Sequence, residues 1–223
     1  MSTAVSRTAQ KIGSPEVTEL RQRVLEQARR HFFAYGYSSF TMDDLATELG
    51  ISKKTLYVHF QGKEMIIRAV LDEFAAELRA EADQLLANRS VAFAEKLRAF
   101  ALALMERLAQ VSPAVLRDLQ RFAPALHRHI EQLRGKNIPY IFGRFVEAGQ
   151  IGGVVRDDIS PVFASEFLLH AMQGLMQPST LQRLNIPPQT AVEQGLRIFF
   201  CGLLTPAGHK EYEKSFPAQN ASS

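Results

Sequence analysis

The stretch Thr41 to Glu64, TMDDLATELGISKKTLYVHFQGKE, constrains this chain more than any other. Its spacing predicts two short helices joined by a tight turn at Gly50. Thr41 is placed to cap the first helix: its hydroxyl can accept a backbone N–H, and Asp44 three residues on can reach back to form a capping box. Met42, Leu45, Ala46 and Leu49 then fall on one face. Gly50 permits a positive φ, so the chain can turn sharply. Ile51 supplies an apolar plug, and Ser52 can cap a second helix on which Leu56 and Phe60, four apart, face inward. Lys53, Lys54, Thr55, Tyr57 and His59 are left outward. A short helix that is apolar inside, and basic, hydroxylic and aromatic outside, suits a DNA major groove. An ordinary helical hairpin with a solvated basic end would carry the same pattern.

Charge is distributed to match. Residues 1–63 hold nine Lys/Arg against six Asp/Glu, whereas residues 64–223 hold seventeen of each, so the whole excess of +3 lies in the part containing this stretch. The location of the excess points to a polyanion partner more than its size does. The 223 residues suffice for one or two domains. The absence of Trp and the scarcity of Gly and Pro inside the periodic segments favour an all-α fold. The single Cys201 excludes an intramolecular disulfide and sits in an apolar run, as a buried thiol does. The first sixteen residues lack the apolar core of a signal peptide, and no stretch reaches the length of a membrane span. A cytoplasmic protein with no membrane partner is the expectation.

Beyond its pattern, the stretch resembles the DNA-binding domain of the TetR family of bacterial transcriptional regulators. The likeness is carried by Phe32 to Gly36, by Phe40-Thr41-Met42 with Asp44-Leu45-Ala46, by Leu49-Gly50-Ile51-Ser52, and by Thr55-Leu56-Tyr57, His59-Phe60 and Lys63-Glu64. The resemblance runs from about Val17 to Ile67. It implies that Thr55, Tyr57, His59 and Lys63 contact the sugar-phosphate backbone, and their hydroxyl, phenol, imidazole and ammonium groups can all donate to phosphate oxygens. Thr41 could bring a helix N-terminus against phosphate or serve only as a cap. Base reading falls to Ser52, Lys53 and Lys54 at the N-terminal end of the second helix.

So short a helix reads few base pairs. Specificity therefore requires two copies on a palindromic operator, with half-sites about 34–36 Å apart. The remainder of the chain predicts a helical bundle for dimerisation and ligand binding. The expected domains are a disordered leader over 1–13, a DNA-binding domain over 14–70, an effector-binding and dimerisation domain over 71–206, and a disordered tail over 207–223. In the first domain Ser14-Pro15 opens a helix with Val17, Leu20, Val24, Ala28 and Phe32 on one side, ended by Gly36. A helix from about Lys63 to Leu86 carries Met65, Ile66, Val70, Phe74 and Leu78 inward. Pro139 predicts a kink or break near Gly135–Pro139. A polar loop precedes the last helix. The helices at about 161–176 and 189–204 are the expected homodimer interface, as in the resembled family, with Ala171, Gly174, Ala191, Gly195 and Gly202 allowing close approach.

The candidates for a small-molecule effector site are Phe100, Leu104, Phe122, Phe142, Phe145, Phe167, His170 and Gln173. An apolar cavity with a few polar groups is the usual design, but an aromatic stripe at helical spacing also describes a core. His170 and Gln173, three apart, could orient a ligand or form an interface pair. His127 and His129 lie about 200° apart on a helix and cannot chelate as an i, i+4 pair does. No metal or other cofactor is called for. No phosphate loop, HExxH or nucleophile elbow points to an enzyme. A DNA-binding protein without an effector is the remaining alternative.

Overall fold

The computed structural model describes residues 15–112 and 114–215. The expected leader and Ser14 lie outside them, as do residues 216–223. The described residues form α1 (Pro15–Tyr35), a 3-10 turn (Tyr37–Ser39), α2 (Met42–Glu48), α3 (Lys53–His59), α4 (Lys63–Ala87), α5 (Phe93–Ala109), α6 (Ala114–Phe122), α7 (Pro124–Ile151), α8 (Pro161–Leu175), α9 (Pro178–Leu184), α10 (Pro188–Leu203) and α11 (Pro206–Ser215). No strand occurs among them; one isolated antiparallel bridge joins Val155 to Leu204. The fold is all-α. No single described helix is long and apolar enough to cross a membrane.

The chain divides into two compact units. The first comprises residues up to Glu73 together with Ala114–His129. Its core is the stripe of α1, where Val24, Ala28 and Phe32 are fully buried, closed by Leu45, Leu56, Phe60, Ile66 and Ile67. Met65, expected on the inner side of α4, is instead exposed. Residues 114–129 had been expected to belong with the bundle. They join the first unit because α6 packs on α1 and on the 3-10 turn, and because His129 Nε2 lies 2.6 Å from Asp72 Oδ1.

The second unit comprises Phe74–Pro113 and the residues from Ile130 onward. Three of its features depart from the sequence expectations. The break expected at Gly135–Pro139 is absent, and α7 continues through Pro139. Tertiary ties hold that segment to α4: Asn137 Nδ2 donates to Ala75 O at 2.8 Å, Arg79 Nε donates to Asn137 Oδ1 at 2.5 Å, and Tyr140 Oη donates to Asp83 at 3.0 Å. The expected loop after Gln177 contains α9, with Pro178 in its first turn and Asn185 ending it at φ 51°. The tail expected to be disordered forms α11 as far as Ser215. Thr205 Oγ1 accepts from Gly208 N at 3.1 Å at its start, and Glu211 Oε1 accepts from Ala94 N at 2.9 Å. The tail helix thus caps the N-terminus of α5, whose own N-cap residue Ala92 has no side-chain acceptor.

Candidate nucleic-acid interface

The two helices α2 and α3 are set by their caps. Thr41 Oγ1 accepts from Asp44 N at 3.2 Å, while Asp44 Oδ2 accepts from Thr41 N at 2.9 Å and from Thr41 Oγ1 at 2.8 Å. These bonds to the ionised carboxylate hold Asp44 below the usual aspartate range, the Thr41 hydroxyl contributing most. The capping role of Thr41 is therefore realised, and both functions of its hydroxyl are engaged. Gly50 takes φ 65° at the turn. Ser52 Oγ accepts from Thr55 N at 3.0 Å and lies 2.8 Å from Thr55 Oγ1. Ser52, expected at a base edge, is thus the cap of α3, and the Thr55 hydroxyl is turned to it.

With Leu56 and Phe60 fully buried, the other side of α3 presents Lys53, Lys54, Tyr57 and Val58 to solvent. Lys53 Nζ lies 2.5 Å from Asp43 Oδ2 on α2. Val58, which the sequence reading passed over, is 75% exposed and Tyr57 49%. His59 is half-buried in the last turn.

Lys63 is placed otherwise than expected. Its ammonium donates to Phe40 O at 2.5 Å and sits over two rings, 4.3 Å from the centroid of Tyr37 and 4.5 Å from that of Phe40. Burial pushes it below the usual lysine range, opposed by the charges of Asp118 and Asp44. A cation between two aromatic faces that also satisfies a carbonyl is a structural tie. Lys63→Met leaves the Phe40 carbonyl without its donor and should lower the stability of the first unit by about 1–3 kcal/mol. Thermal melts check this. Lys63→Arg should recover part of the loss, and a Lys63→Met melt superimposable on wild type would remove the structural role.

A second tie was invisible locally. Asp118 Oδ2 on α6 accepts from Ser38 Oγ at 2.5 Å and from Ser38 N at 3.1 Å. These bonds, with the Ser38 hydroxyl foremost, hold the Asp118 carboxyl below its usual range. The pair is separated by eighty residues, so no sequence pattern could announce it. On α1 and α2, Gln27 Nε2 donates to Glu48 Oε2 at 2.6 Å and His31 Nε2 lies 2.7 Å from the same oxygen.

The candidates for an effector site do not form one cluster. In the second unit Phe100, Phe142 and Phe145 are buried in mutual contact, with ring centroids 5.8 Å apart for Phe100 and Phe142 and 5.3 Å for Phe100 and Phe145. Phe199 and Phe200 extend the cluster through Phe142, and Leu104 is buried on the same helix as Phe100. Phe167 and His170 are exposed on α8, and Gln173 is half-buried there. Phe122 is exposed and belongs to the first unit. These four are not part of the ring cluster. An open groove of about 410 Å³ between the C-terminal ends of α4 and α7, beside Arg89, Arg144 and Glu147, includes none of the eight.

Comparison with known proteins gives this helix pair its identity. The model of the family described as bacterial regulatory proteins, tetR family, matches residues 24–70, from the middle of α1 to the first turns of α4. Over those residues the chain belongs to the TetR family. The HTH-type transcriptional repressor DhaR of Mycobacterium sp. (strain GP1) is 27% identical over 195 residues, which cover 84% of this chain and 93% of that one. The uncharacterised HTH-type regulator YvaF of Bacillus subtilis is 36% identical over 77 residues, 34% of this chain and 40% of its own length. Among solved structures of the TetR fold, SmeT, the repressor of a Stenotrophomonas maltophilia multidrug efflux pump, has been solved with triclosan. That structure superposes at a TM-score of 0.61 and 16% identity, over 84% of this chain and 93% of that one.

Proposed function

We propose that this TetR-family chain is a homodimeric transcriptional regulator, a repressor released from a palindromic operator by a small apolar effector. The observation that carries the proposal is the face of α3: two caps fix its direction, two buried apolar residues fix its rotation, and Lys53, Lys54 and Tyr57 are left on the side away from the core. In this reading Lys53 and Lys54 offer ammonium groups to base acceptors. Tyr57, Thr55 and His59 serve the sugar-phosphate backbone. Lys63 and Thr41, with Ser52, hold the reader in shape. A second copy joins through α8 and α10, where Val162, Phe163, Phe167 and Ile198 are all more than half exposed. Gly174 and Gly202 have open space where a side chain would begin, leaving room for a partner helix. Gly195 has a different use, since a Cβ there would lie 2.2 Å from Met172 Cε of the same chain.

The likeness to DhaR, a repressor by name, favours repression over activation. The effector belongs to the second unit, in a domain spanning about 71–206, and the fold shared with triclosan-bound SmeT supports an apolar one. Its action is a population shift toward a dimer whose two readers no longer match successive grooves. The site of action is the cytoplasm, with no catalytic step.

Selection from a random DNA library tests the proposal. An inverted repeat should emerge with half-sites one helical turn apart. Tyr57→Phe should weaken binding to every sequence alike, by a few-fold, whereas Lys53→Ala should reorder the preferred bases. A library from which the wild-type chain enriches nothing would sink the DNA reading. Unchanged preferences in Lys53→Ala would sink only the base-reading role.

A further inference from the structure

The two lysines that open α3 differ in a way their sequence positions do not reveal. Lys53 is joined to Asp43 in the first turn of α2, Nζ to Oδ2 at 2.5 Å. The Lys54 ammonium has no hydrogen-bond or ion-pair partner among the described residues, and its side chain is exposed. Both members of the Lys53–Asp43 pair are exposed, at 65% and 55% of their side chains. Both sit one or two residues beyond a capped helix start, so the backbones that carry them are fixed by the Thr41 and Ser52 caps. An exposed ion pair stabilises a fold little. Placed on a DNA-facing surface, it acts on recognition instead.

We propose that Asp43 is a specificity-determining residue that withdraws Lys53 from general phosphate binding and reserves it for a base edge. The inference rests on the DNA-binding reading above. A lysine ammonium has three donors. One of them satisfies Asp43, and two remain for neutral acceptors such as guanine O6 and N7. The net charge of the pair is zero. Lys53 therefore adds nothing to the counterion release that drives sequence-independent binding. A nearby carboxylate also repels any phosphate that approaches it. Contact with a base acceptor keeps its value because the acceptor carries no net charge. Lys54, unpaired, keeps its full charge, so beside its own base contact it adds the sequence-independent attraction that Lys53 does not. Asp43 acts through Lys53, so it is a positioning residue for base reading and touches no base in this account.

The test is Asp43→Asn, which keeps shape and removes charge, measured on the selected operator and on an unrelated duplex across a salt series. Binding to unrelated DNA should tighten about 3–10-fold, with the log–log salt dependence steeper by about 0.9 per reader as one more phosphate is neutralised. Operator binding should tighten less, so the specificity ratio falls. In a Lys53→Gln background the Asp43→Asn change should no longer lower the ratio. A simple loss of negative charge would tighten both duplexes equally, with or without Lys53, and that result would overturn the proposal. So would an unchanged ratio. Helical content by circular dichroism checks that the variant is folded, and Asp43→Ser repeats the measurement should the asparagine variant melt early. A wild-type chain that binds no DNA would overturn the inference together with the reading beneath it; normal wild-type binding with an indifferent Asp43→Asn overturns the inference alone.

Discussion

Replacing Gly36 with alanine is expected to destabilise the DNA-binding unit by about 3–5 kcal/mol, from two sources that add. Gly36 has φ 90° and ψ −177°, a region that residues with a Cβ scarcely enter, at a cost of about 1–3 kcal/mol. The new Cβ would also stand 2.7 Å from Asp118 Oδ2 and 3.2 Å from its Cγ. Asp118 cannot withdraw freely, because the same oxygen accepts from Ser38 N and Ser38 Oγ. Moving it gives up hydrogen bonds to a charged acceptor, each worth about 1.5–3 kcal/mol. Against a total stability of about 5–15 kcal/mol, the loss is large. Thermal melts should show a drop of at least 10 °C, about 4–8 °C for each kcal/mol in a domain of this size. The two sources can be separated. In an Asp118→Ala background the steric part vanishes, so the further cost of Gly36→Ala should shrink to the backbone part. A Gly36→Ala melt within 2 °C of wild type would refute both.

Gly50 makes the contrast. It too has a positive φ, 65°, but a Cβ there meets nothing within 4 Å. Both glycines were legible as places where the chain turns, from their position at the end of an apolar repeat. That one is a bare turn, and the other a turn closed by a carboxylate eighty residues beyond Ser38, was not. The same division runs through the molecule. The caps at Thr41 and Ser52 were readable because donor and acceptor lie within three residues, as was the stripe of α1, because helical period alone carries it. The helix α11 was not. Its residues are mostly polar, and what holds them is remote: Glu211 on the free N–H of Ala94, and Gly208, where a Cβ would fall 2.1 Å from Val154 O. Pro139 misled in the other direction. Local chemistry argued for a break, and three side-chain ties from Asn137 and Tyr140 to α4 override it.

The candidate interface with nucleic acid was legible in residue type and less so in where its side chains lie. Lys63 and Ser52 carry donors that suit phosphate or base, and the folded chain has engaged those groups internally. Position on a helix says which way a side chain leaves the backbone, but the carbonyl of Phe40 that claims the Lys63 ammonium lies twenty-three residues away. The aromatic candidates for a ligand site illustrate a deeper limit. Phe100 and Phe145 are buried against each other, whereas Phe167 is 58% exposed, although all three recur at similar helical spacing. Burial depends on what the opposite element supplies, which a single stripe does not encode.

The exposed stripe on α8 and α10 leads to the expectation with the largest effect on function: Phe167→Glu combined with Ile198→Glu should yield a monomer and reduce operator affinity at least 100-fold. Phe167 and Ile198 are 58% and 74% exposed, and Val162 and Phe163 beside them on α8 are 71% and 65% exposed. Burying side chains of this kind contributes about 1.5–3 kcal/mol each. In a two-fold interface each residue is used twice, so the stripe can drive association strongly. Each introduced carboxylate also counts twice and enters an apolar contact without a partner, which is costly. The effect on DNA follows from linkage between half-sites. One reader binds weakly, and tethering two multiplies affinity by about 100–10,000-fold without any new contact. Ile151→Glu is the control, since Ile151 is 90% exposed at the end of α7 and off the two helices; it should leave the protein dimeric. Sedimentation at micromolar concentration reads the first consequence and operator titration the second. A double variant that still sediments as a dimer would move the interface away from α8 and α10. A monomer that kept full operator affinity would instead sever pairing from recognition, leaving a single α3 to account for the whole of the specificity.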